Sequence, residues 1–158
     1  MKNIYLLALL PLFLASCNSR NSAIPLSKID TERKQIAQNF AETFLKKCAE
    51  EDYSAFQNFK ISRGFERQLI SDSLQKYCQA IVRRNGKVTF EGLVSVDTRN
   101  STKDFLDVFN FKLKTEKSAA PVYLHLGMYR DQNYVEKPLN FSADEHYYET
   151  IRKKYYKK

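Results

Sequence analysis

The hydrophobic period of this chain changes once, at Asn85-Gly86, and that change limits the fold more than any other feature. Before it, apolar residues recur at helical spacing; after it, they alternate. Ile36, Phe40, Phe44 and Cys48 follow one another every four residues, with Ala37, Ala41 and Leu45 beside them. Arg33, Lys34, Gln38, Glu42, Lys46 and Lys47 fill the other side. The pattern predicts an amphipathic helix over about residues 29 to 51, capped by Ser27 or Asp30. Tyr53 to Phe59 predicts a further short helix. Phe65, Leu69, Ile70, Leu74, Tyr77, Cys78 and Ile81 keep helical spacing up to Gly86, with a break at Ser71-Asp72-Ser73. Gly86 suits a C-terminal cap, because glycine takes positive φ without steric cost.

Beyond Gly86, Val88, Phe90, Gly92, Val94 and Val96 alternate with Thr89, Glu91, Ser95 and Asp97. Gly92 on the apolar side predicts a bulge or sharp bend. Phe105 to Thr115 and Val122 to Tyr129 repeat the alternation, and Tyr134 to Phe141 repeats it more weakly. Short turn-rich segments separate them, which predicts an antiparallel meander. Ser142 to Glu145 reads as a capping box. It opens a C-terminal helix with Tyr147, Ile151 and Tyr155 spaced by four. Helices first and strands after give an α+β chain, with the first helices packed on one apolar face of a curved sheet.

The N-terminus has a different character. Lys2 precedes an apolar run from Ile4 to Ala15, broken once by Pro11. The run is too short for a spanning helix, which needs about 20 residues, and reads as a signal peptide over residues 1–16. Leu14-Ala15-Ser16-Cys17 resembles the lipobox of bacterial lipoproteins. The resemblance implies cleavage before Cys17 and acylation of Cys17, and anchoring by more than one chain is stable where a single chain is marginal. Asn18 after the cysteine implies an outer-membrane address, facing the periplasm. Residues 17–27 are polar, contain Pro25, and read as a lipidated tether reaching at most about 30 Å. Residues 28–158 then form one domain.

The net charge is +8. Export leads away from nucleic acid, so the anionic partners within reach are lipid headgroups, polysaccharide or cell wall, and solubility alone also accounts for such a balance. With Cys17 acylated, Cys48 and Cys78 remain in a compartment that permits disulfides. A bridge between them is favoured over two buried thiols. Two histidines, His125 and His146, form no His-x-x-x-His pair, and the two cysteines lie far apart. No metal is therefore expected, nor any other cofactor. Four glycines never cluster, so no phosphate-cradling loop is present.

Two groups of residues remain as candidates. Tyr123, His125 and Tyr129 share a strand face opposite Leu124 and Leu126. If they line a cavity, they make an aromatic, hydrogen-bonding wall for a small ligand; otherwise they form an outer sheet face. Arg152, Lys153, Lys154, Lys157 and Lys158 either meet anionic headgroups or form a solvated helix end.

The order of elements, "RRNGKV" leading from helix to strand, and Gly92 resemble the cystatin-like fold of the nuclear-transport-factor-2-like superfamily over about residues 28 to 141. That resemblance implies a curved sheet round a helix with a cone-shaped pocket, and a function ranging from isomerase to assembly module. No motif for chemistry accompanies it. The expectation is a non-enzymatic envelope lipoprotein that binds a protein or an anionic envelope component. A cone-pocket binder or enzyme and an envelope inhibitor or immunity protein are the alternatives.

Overall fold

A computed structural model describes residues 21–99 and 105–155. The fold is α+β: a five-stranded, fully antiparallel open sheet in the order β1-β2-β3-β4-β5, with helices packed on it. The strands are β1 (Asn21–Ile24), β2 (Val88–Arg99), β3 (Leu106–Thr115), β4 (Ser118–Tyr129) and β5 (Val135–Ser142). The helices are α1 (Thr31–Ala49), α2 (Arg63–Glu66), α3 (Ser71–Asn85) and α4 (Tyr147–Tyr155), preceded by a 3₁₀ turn at Leu26–Lys28.

Directly paired residues of an antiparallel sheet point to the same side, so the register separates two faces. The row Ile24, Val96, Phe109, Leu126, Leu139 crosses all five strands and is wholly apolar. Phe109, Phe111, Leu124, Leu126 and Met128 are fully buried beneath α1, where Phe40 and Phe44 are equally buried. Each such side chain contributes roughly 1.5–3 kcal/mol. Asp30 caps α1 by accepting from the Arg33 N–H at 3.2 Å. Gly86, at φ 67°, closes α3 and turns the chain into β2. Gly92, at φ 128°, lies between two register shifts that bend β2. At Gly127 an added Cβ would strike the Lys137 carbonyl, where β5 steps out of register.

Five sequence expectations are corrected. Arg33 and Lys47 do not face solvent; both are buried. Arg33 donates to the Tyr129 and Arg130 carbonyls and to Asp107, and Lys47 donates to Asp52 at 2.6 Å and Ser54 at 2.7 Å. That amine holds Asp52 well below the usual carboxylate range. Tyr53 to Phe59 is irregular, not helical. Too short to nucleate alone, the segment instead stacks Phe56 on Phe40 and sets Phe59 edge-on to it, with centroids 4.9 and 5.1 Å apart. Part of the expected tether is β1, which pairs Asn21–Ile24 with Val96–Arg99 because the rim of β2 offers unpaired backbone groups there. Ser142 is not a helix cap but the last residue of β5. The first N–H of α4, at Tyr147, is capped by Asp97 of β2 at 2.9 Å.

Cys48 of α1 and Cys78 of α3 are joined as a disulfide, 30 residues apart in sequence. Tyr77 beside it donates its hydroxyl to the Leu139 carbonyl at 2.6 Å, and burial pushes that hydroxyl up to about 12. Replacing both Cys48 and Cys78 by alanine should lower unfolding free energy by about 3–4 kcal/mol, the loop-closure contribution. Equal urea midpoints for parent and variant would show that the bridge contributes nothing.

Candidate functional site

The second face of the sheet is polar, and it is covered. Ser95, Asn110, His125 and Asn140 form one cross-strand row. Asn110 and His125 are completely buried. Asn110 Nδ2 donates to Ser95 Oγ and to Asp97 Oδ2, each at 3.1 Å. The carboxylate fixes the amide's orientation, since it can only accept. Asn110 Oδ1 therefore faces His125 Nδ1, at 2.7 Å, and that nitrogen carries the proton. His125 Nε2 then accepts from the Ser142 hydroxyl at 2.7 Å.

Helix α4 closes over this row. Asp97 Oδ1 lies 2.8 Å from His146 Nδ1, and Asp97 Oδ2 also accepts from the Tyr147 N–H. Ser142 Oγ accepts from Thr150 Oγ1 at 3.0 Å and from the Asp144 N–H at 3.1 Å. The Tyr147 ring sits 5.5 Å from the His125 ring. Burial pushes His125 down to about 4, with Asp144 opposing the shift.

Ser142, His125 and Asn110 have the connectivity of a nucleophile, a base and an orienting group. Their environment uses that connectivity for structure. An imidazole held neutral down to about pH 4 is a weak base at neutral pH. The Ser142 oxygen already accepts two hydrogen bonds and donates one. The arrangement is a latch that fixes α4 to the sheet.

The sequence candidates are distributed differently from expectation. Tyr123, His125 and Tyr129 do share one face, but they line no cavity between helix and sheet; Leu124 and Leu126 occupy that side. His125 belongs to the latch, and Tyr129 donates its hydroxyl to Glu136 at 3.2 Å. Arg152 pairs with Glu149 at 2.7 Å, Lys153 pairs with Asp144, and the Lys154 amine lies 5.4 Å from the Tyr155 ring centroid. Cys17, Lys157 and Lys158 lie outside the described residues. Asp97, Asn110 and Ser142 were missed as a group. The available signal was Asn110 itself, a polar residue between Phe109 and Phe111.

A groove of about 760 Å³ runs between α4 and the sheet, bordered by Asn21, Arg99, Lys137, His146, Tyr148 and Arg152. A second, of about 830 Å³, lies along α1 between Asn39, Thr43, Asp52 and Asn58. Among the described residues no cluster of three or more His, Cys, Asp and Glu side chains is arranged to hold a metal, and no helix is long and apolar enough to cross a membrane. No known protein family, curated protein or solved structure matches the chain.

The depressed His125 gives a pH signature. The unfolded chain takes a proton near pH 6.5, the folded protein only near 4. Between these values the unfolded state binds more protons, so stability falls as pH drops through that window and this residue adds no slope above it. The loss amounts to about 3 kcal/mol. Urea midpoints of the parent and of His125→Gln, compared at neutral pH and near pH 4, should show a shallower decline in the variant; parallel declines would contradict the assignment.

Proposed function

We propose that this chain is an envelope lipoprotein, anchored through Cys17, whose folded part is a non-enzymatic binding or assembly module. The Leu14-Ala15-Ser16-Cys17 sequence supports the anchor, and Asn18 supports an outer-membrane position facing the periplasm. The observation that carries the reading is the Cys48–Cys78 disulfide between α1 and α3. Bridges of this kind persist in oxidising compartments and are rare in the cytosol, so the body of the protein and its leader favour the same destination.

The element order, a long helix, a helical pair and a bent meander, favours the cystatin-like pattern. Where that pattern has a cone-shaped pocket, Phe40, Phe44, Phe109 and Phe111 are packed without exposure. The groups able to do acid–base work on the opposite face are engaged in holding α4. What remains for function is surface, which favours a partner over a small substrate.

Cells producing the chain and fed radiolabelled palmitate should label it, and globomycin should cause an unprocessed precursor to accumulate. Cys17→Ala should abolish labelling and shift the protein out of the membrane fraction. Unchanged processing and membrane sedimentation of the Cys17→Ala protein would overturn the anchor.

A further inference from the structure

One end of the sheet gathers features that the sequence keeps far apart. The pairings Asn21 with Arg99 and Leu106 with Tyr129 place the starts of β1 and β3 beside the ends of β2 and β4. Phe105, next to Leu106, is an exposed aromatic, 51% accessible. The groove under α4 opens at this same end, because Asn21, Arg99 and Leu106 line it together with Lys137 and Arg152. Tyr155, in the last turn of α4, is 66% exposed.

Cys17 precedes Asn21 by four residues, a span of at most about 14 Å. Because β1 is paired, the anchored residue cannot stand far from this end of the sheet. A free tether from Cys17 would have allowed any face of the domain to turn toward the bilayer.

We propose that the protein lies on its membrane through this end, with Phe105 seated at the headgroup boundary and the cations that line the groove, Arg99, Lys137 and Arg152, against anionic headgroups. The proposal rests on the lipid anchor at Cys17 and adds the orientation and the lipid class. Charge supports the choice of partner. Arg99, Lys137 and Arg152 line the groove with Asp97 and Glu149, and those two acids are engaged by His146 and Arg152. Aromatic rings with cations round them are the usual composition of a membrane-interface contact.

The chain contains no tryptophan, so Phe105→Trp supplies a single reporter. The acylated full-length variant is reconstituted on vesicles of phosphatidylethanolamine with phosphatidylglycerol, some carrying lipids brominated high on the acyl chain. The indole emission should shift to the blue and be quenched by the brominated lipid. Quenching should fall on phosphatidylcholine vesicles or in high salt. Lys137→Glu with Arg152→Glu, added to the reporter, should lower the ratio of docked to undocked protein roughly tenfold or more without releasing the anchored protein. Protein that sediments with vesicles but shows unquenched, solvent-exposed emission would overturn the orientation and leave the anchor standing. Quenching that ignores headgroup charge, salt and the two reversals would overturn the anionic contact. Acylated protein that fails to sediment with vesicles would overturn the anchor and the orientation with it.

Discussion

The contact between α1 and the apolar face of the meander carries the rest of the fold. Phe40 and Phe44 reach that face because they sit one helical turn apart. Phe109, Phe111, Leu124 and Leu126 meet them because period-2 alternation in neighbouring strands is held in register. A one-residue slip of β3 would move its phenylalanines to the opposite side and put Asn110 under α1. Register is therefore fixed twice, by apolar burial on one side and by the Asn110–His125 pairing on the other. The disulfide then ties α1 to α3, so the helical layer is closed by a covalent link as well as by packing.

The polar face follows a different logic. A buried amide, imidazole and carboxylate are expensive unless each finds partners. Here they find them in one another and in α4. Asp97 joins Asn110 of β3, His146 and the opening N–H of α4. Asp107 does similar work on the helix face, pairing with Arg33 at 3.2 Å and Arg130 at 3.1 Å. Two carboxylates, ten residues apart and on opposite faces, fasten the first and the last helix to the same sheet.

Much of this was legible from the residues. The switch of period at Gly86, the apolar spacing of α1 and the bend at Gly92 follow from local chemistry and require no tertiary knowledge, whereas Ser71-Asp72-Ser73, expected as a break, form the first turn of α3. What stayed hidden depends on partners distant in sequence. Arg33 and Lys47 are indistinguishable from surface cations until Asp107 and Asp52 come within reach. Ser142 resembles a helix cap because it precedes Glu145 at the right spacing, yet the cap comes from β2, 50 residues earlier. His125 could be placed on a strand face, but its role required knowing that Asn110 lies opposite and that α4 folds over both. The segment 21–24 carries no strand signal of its own; only the open rim of β2 makes it one.

That short strand has a further effect. β2 is 12 residues long, and β1 covers its last four, Val96–Arg99. The remainder of the rim is distorted by the shifts round Gly92 and carries Glu91, paired across the strand with Lys112 at 3.1 Å. Exposed straight rims are templates on which like chains stack. By occupying the straight part of the β2 rim, β1 removes the template on which a second copy of the chain could pair sheet to sheet.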